Sequence, residues 1–170
     1  GPLIVNVLAV AGMGLADTVM SGRLGAEALA AVSVGHNTWM LVFSGCLGVL
    51  MALSPIIARH YGAGEINKIG RYTRHGMYLG FAMGLVILLV GRPLAETAVA
   101  AIGIDTGFRH LTVEYIRALL FGAPGILMFI ALRFTTEGVG YTRPIMFTSV
   151  FSLICNVFLN YVLMFGKFGA

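Results

Sequence analysis

Formal charge is what this sequence lacks most. Only 11% of its 170 residues are Asp, Glu, Lys or Arg, against about a quarter in soluble domains. Five windows, 1–16, 28–58, 75–91, 118–132 and 144–166, carry no formal charge at all. Most of them reach or approach the ~20 apolar residues that cross a bilayer. With 58% hydrophobic residues, a water-soluble core is excluded. Cysteine is scarce: Cys46 and Cys155 both fall inside uncharged windows, which excludes a disulfide framework and leaves small buried hydrophobes. Gly62-Ala63-Gly64 has no Lys-Ser or Lys-Thr of a phosphate-cradling loop, and the four histidines are dispersed. No metal-ligand spacing and no nucleophile constellation appears, so neither an enzyme nor a cofactor is expected. A pI near 9.4 raises nucleic acid as a partner, but the 11 Lys and Arg lie in loops or near span ends. They read as topology signals instead.

What is present fits an all-α, polytopic transmembrane helix bundle embedded in a lipid bilayer. Backbone groups in hydrocarbon must be satisfied internally, and the apolar runs are too continuous for barrel strands. Spans are expected near 2–21, 28–58, 75–93, 110–133 and 143–165, with kinks at Pro55 and Pro124. Linkers 22–27 and 134–142 are short and contain Gly, while 59–74 and 94–109 read as longer polar loops. Arg59, Lys68, Arg71, Arg74, Arg133 and Arg143 outnumber Arg23, Arg92, Arg109 and Lys167 on the opposite side. That bias places the first set in the cytoplasm and runs the first span outward. The sequence opens at Gly1 rather than Met and stops at Ala170 just past a span, so a piece of a longer chain is expected.

Against this apolar background one acid stands out. Asp17 is sunk in the first span, and a charged group there costs a few kcal/mol or more unless it faces protein or water. Helical spacing tests which polar groups share its side. Asn6, Asp17 and Ser21 fall on one face of span one; Ser33, Asn37 and Ser44 fall on one face of span two. Thr148, Ser152, Asn156 and Asn160 recur every four residues in span five. Spans one, two and five are therefore expected to line a cavity, with three and four as buttresses. Asp17 and Asn160 come at similar depth, roughly 7–10 Å below the outer helix ends. If their spans are neighbours, Asn156 and Asn160 meet the carboxylate and either hydrogen-bond it or share a cation with it.

The plainer readings stand beside these. Asp17 can be a structural hydrogen-bonding group, the two asparagines interhelical glue, and the hydroxyl residues packing groups bonded to their own backbone. His36 reads as an interfacial histidine, and Trp39 as a cavity or interface aromatic. Glu114 with Arg117, and Arg133 with Glu137, have the spacing of helical ion pairs. Gly80 and Gly84 form a small-xxx-small pair in span three.

The run Gly14-Leu15-Ala16-Asp17-Thr18-Val19-Met20-Ser21-Gly22-Arg23-Leu24-Gly25 resembles the first-helix signature of multidrug and toxic compound extrusion (MATE) transporters. Pro2, fifteen residues before Asp17, and Leu29-Ala30-Ala31-Val32-Ser33 match in register. So do Pro55 with Ala58, Tyr61-Gly62-Ala63-Gly64, Pro124, Arg133, Glu137-Gly138 and Thr142-Arg143-Pro144. Asn156-Val157-Phe158-Leu159-Asn160 and Gly166-Lys167-Phe168-Gly169 complete the pattern. The resemblance covers essentially the whole chain and is nearest the bacterial NorM-like branch.

It implies the first five helices of a six-helix lobe, in a twelve-helix transporter whose carboxy-terminal lobe lies beyond this chain. It further implies export of lipophilic, cationic small molecules across the inner (plasma) membrane, in exchange for sodium ions or protons. The amino-terminal lobe's cation or proton site maps onto Asp17, Asn156 and Asn160, and a monovalent cation at Asp17 is the one metal it implies. Some relatives carry an acid at the position of Asn160; here the site has one formal negative charge. The competing classes are a flippase or exporter of lipid-linked or polymeric substrates and a non-transporting membrane scaffold. A flippase calls for a more basic lumen than Arg117 alone provides, and a scaffold needs no intramembrane acid.

Overall fold

A computed structural model describes residues 2–101 and 106–164. Six helices follow one another: α1 (Pro2–Leu24), α2 (Ala26–Met51), α3 (Leu53–Gly62), α4 (Ile66–Ala101), α5 (Thr106–Gly138) and α6 (Arg143–Met164). Among the described residues, five stretches are long and apolar enough to cross a membrane: Ile4–Arg23, Val32–Gly62, Ile66–Gly91, Thr112–Gly138 and Arg143–Val162. Leu15, Leu41, Leu89 and Phe121 are all more than two-thirds exposed on them, as expected where lipid rather than water is the solvent. The chain is a multi-pass membrane protein.

Three of the joints are glycine-dependent. Gly25, at φ 125°, is the single residue between α1 and α2. α3 and α5 both end in Schellman turns with a left-handed glycine, Gly64 (φ 73°) and Gly140 (φ 78°). Glu65 N–H reaches His60 O at 3.0 Å and Tyr141 N–H reaches Thr136 O at 3.0 Å, satisfying carbonyls that a helix end leaves open. Two features differ from the sequence expectation. Span two is broken at Ala52, because Pro55 has no N–H to offer Met51 and instead fits the first turn of the new helix α3. The stretches 66–74 and 94–101, expected as loops, are helical ends of α4; Lys68, Arg71 and Arg74 lie exposed on the first of them, since charge alone does not stop a helix.

The fold divides into two compact units, residues 34–141 and residues 1–33 with 142–170. In the first unit α4 and α5 meet backbone to backbone. A β-carbon added at Gly84 would stand 2.4 Å from Pro124 Cα, and one at Gly80 would stand 2.7 Å from Leu127 O. The small-xxx-small pair is thus the packing seam of α4, close enough that no larger side chain fits. Ile57, Ala123, Leu127 and Ala131 are fully buried around it. In the second unit α1 packs along α6, and this pair carries the intramembrane acid.

Candidate functional site

α1 and α6 run parallel. Ser149 meets Asn6 and Asn160 meets Asp17 at the same sequence offset, 143 residues; parallel helices hold such an offset constant, whereas antiparallel ones hold the sum of the two numbers constant. Between these rungs Gly12 offers a flat surface to Leu153, whose Cδ1 lies 3.5 Å from where a β-carbon would be.

At the upper rung the half-buried Asp17 accepts two side-chain amide bonds on one oxygen. Asn156 Nδ2 donates to Oδ1 at 3.1 Å and Asn160 Nδ2 donates to it at 2.5 Å. Asn160 Nδ2 also lies 3.5 Å from Asn156 Oδ1. Four-residue spacing stacks the two asparagines on one side of α6, and the parallel run of α1 brings Asp17 level with both. Among the described residues the carboxylate has no ion-pair partner. Amides solvate an anion with their N–H dipoles but carry no charge to offset it. The same amides carry oxygen acceptors; turned about, they would join Asp17 in an all-oxygen donor set of the kind hard cations take.

Ser21 is fully buried one turn above the acid. Its hydroxyl lies 2.6 Å from Asp17 O and 3.2 Å from Thr18 O, so it serves the α1 backbone. At the lower rung Asn6 is 4% exposed and Ser149 9%; Ser149 Oγ is 2.5 Å from Asn6 Oδ1 and 2.7 Å from Ile145 O.

The remaining candidates on α6 are not gathered at the acid. Thr148 is exposed and hydrogen-bonds Pro144 O at 2.9 Å, and Ser152 is exposed. A four-residue step overshoots a turn by about 40°, so Thr148 ends roughly 120° round the helix from Asn160. Ser149 was missed for the same reason: it stands seven residues before Asn156 and eleven before Asn160, spacings that return to one face. Ser33 is exposed at the edge of this unit. Asn37 and Ser44 are exposed in the other unit, where Ser44 Oγ donates to Leu41 O at 2.9 Å. His36 is exposed, and Trp39 is buried with its ring 5.4 Å from that of Phe43. Arg133 and Glu137 form their helical ion pair at 2.9 Å. Gly166-Lys167-Phe168-Gly169 lies outside the described residues.

Comparison with known proteins follows the same outline. The MatE family model matches residues 2–162. Over 168 residues the chain is 35% identical to "Probable multidrug resistance protein NorM" of Halalkalibacterium halodurans, covering 99% of this chain and 37% of that protein. It is 34% identical over 169 residues to "Multidrug resistance protein MdtK" of Yersinia enterocolitica, with the same coverage of 99% and 37%. A solved structure of a MOP superfamily transporter from Pyrococcus furiosus, described as having a binding pocket of reverse polarity that suggests a different function, superposes with a TM-score of 0.91. It is 25% identical, over 99% of this chain and 37% of that one. The chain therefore spans a little over a third of the length of these relatives.

Proposed function

We propose that this chain, which belongs to the MatE family, supplies the ion-coupling side of a secondary transporter that exports lipophilic, cationic compounds from the cell. Its relatives NorM and MdtK bear multidrug resistance names, and export in exchange for an inward-moving cation fits the chemistry of the α1–α6 pair. The observation that carries the reading is Asp17: one carboxylate, in a span otherwise free of acids, held by Asn156 and Asn160 without a counter-charge among the described residues.

In this mechanism Asp17 alternates between two conditions. With its charge uncovered, the carboxylate draws in a sodium ion or a proton from the side the site faces. Loaded, the site is neutral, and the span can face hydrocarbon or packed protein at lower cost. The coupling ion thus changes the relative free energy of two arrangements of the transporter, which is the requirement for any ligand-driven switch. Asn156 and Asn160 present N–H groups to the uncovered anion and oxygens to an arriving cation. Release on the other side restores the charge and resets the cycle. A second lobe and the plasma (inner) membrane as location belong to the same proposal.

The experiment is efflux of a fluorescent lipophilic cation from cells expressing the intact transporter, wild type against Asp17→Asn. Efflux falling to the level of empty cells, in a variant of normal abundance, supports the reading. Wild-type efflux in that variant refutes it.

A further inference from the structure

We infer that Asn6 and Ser149 form a register key that positions Asp17 against its two amides. They are positioning residues, not part of the ion site, and the inference rests on the proposed coupling role of Asp17. The observation behind it is an ambiguity at the upper rung. Asn156 and Asn160 are one helical turn apart, and both donate to Asp17, at sequence offsets of 139 and 143. If α1 slid by one turn so that offset 139 became the level one, Asp17 would still face an asparagine. The acid and its amides therefore do not determine by themselves how α1 sits along α6.

The lower rung removes the ambiguity. At offset 143 Asn6 meets Ser149; at offset 139 it would meet Ile145, and one turn the other way Leu153. Both alternatives bury an amide against aliphatic carbon, where an unpaired polar group costs more than the hydrogen bond gains when made. Asn6 and Ser149 are both at least nine-tenths buried, so neither lipid headgroups nor bulk water replaces the lost partner. Eleven residues separate Asn6 from Asp17, about 16 Å along the helix, and between them Ala9 is buried and Gly12 packs on Leu153, both without polar side-chain groups. Small apolar side chains such as these give the pair no directional bond that would resist sliding. A single buried polar residue that fixes helix register at some cost in stability is the best-attested use of such groups in helical assemblies.

Two readouts in the intact transporter test this. The first reports register: Gly12→Cys with Leu153→Cys, in a background of Cys46→Ala and Cys155→Ala, should form a disulfide under mild oxidation. Adding Asn6→Ala or Ser149→Ala should cut its yield by about three- to tenfold, the worth of one net hydrogen bond expressed as an equilibrium. The second reports coupling: the same alanine variants should raise the coupling-ion concentration for half-maximal transport by about three- to tenfold. The double alanine variant should be no worse than either single one, and the exchange Asn6→Ser with Ser149→Asn should restore both values. An unchanged disulfide yield overturns the register key. So does an unchanged ion dependence when the Asp17→Asn control has lost it. If Asp17→Asn keeps its ion response, the coupling reading fails instead, and the disulfide yield alone decides the register.

Discussion

Asn160 donates its side-chain N–H to Asp17 Oδ1 at 2.5 Å, from a helix 143 residues further along the chain. Two spans separated by nearly the whole described sequence are thereby joined at Asp17, the one acid of α1. Because the contact belongs to a parallel helix pair, it reports both the packing of α1 on α6 and the state of the carboxylate.

That contact should be measurable as a coupling energy. Interhelical hydrogen bonds in membranes average about 0.6 kcal/mol and reach about 1.7 kcal/mol. Asn160→Ala is expected to destabilise the detergent-solubilised protein by about 1 kcal/mol, within that range. In an Asp17→Ala background the same change should cost close to nothing. Thermal unfolding of the four proteins in a double-mutant cycle checks this, and additive losses would mean the two side chains do not interact.

Gly84 offers a test of the packing seam. A methyl group there would stand 2.4 Å from Pro124 Cα and 2.6 Å from Pro124 N, with backbone rather than a movable side chain in the way. Gly84→Ala should lower stability by about 1–3 kcal/mol or more through forced separation of α4 and α5. Gly48→Ala meets nothing within 4 Å and should be neutral or slightly stabilising through helix propensity. Melting temperatures of the two variants side by side make the comparison.

The turn between α3 and α4 carries a pH prediction. Lys68 Nζ at 2.7 Å and His60 Nδ1 at 2.6 Å, with Lys68 the larger influence, hold the Glu65 carboxyl below its ordinary value of 4.5. A lowered acid stabilises the fold while it is ionised: its contribution is complete above the ordinary value and is lost as pH falls through the lowered one. Backbone amides of the turn, such as Lys68 N–H on Glu65 O at 3.0 Å, should lose protection from hydrogen exchange over that acid interval. Glu65→Gln should show no such step, because its side chain does not titrate.

Much of this arrangement was legible beforehand, and the exceptions have definite causes. Uncharged windows mark spans because hydrocarbon tolerates little else, and that signal is independent of packing. Eleven- and four-residue spacings and similar depth put Asp17, Asn156 and Asn160 within reach only on the condition that spans one and five are neighbours, which the sequence does not show. Ser149 escaped because a strict four-residue repeat was followed from Thr148, although such a repeat winds off the face within three steps. The helical ends of α4 escaped because Arg71 and Arg74 look like loop residues when charge alone marks the membrane boundary. The break at Ala52 was placed at Pro55 instead, since proline disturbs the turn before it rather than its own position. What the sequence pattern could not supply was depth of burial: Asn6 and Asn37 read alike, yet one is buried against Ser149 and the other is exposed.

The most direct measurement uses the intact transporter in liposomes loaded with a fluorescent lipophilic cation, with an imposed sodium gradient in one set and an imposed pH gradient in another. Wild-type protein should move the dye against its gradient under one of the two, which names the coupling ion. Asp17→Asn, inserted to the same extent, should respond to neither. Gradient-driven movement at the wild-type rate in Asp17→Asn would contradict the account and leave the acid a structural partner of Asn156 and Asn160.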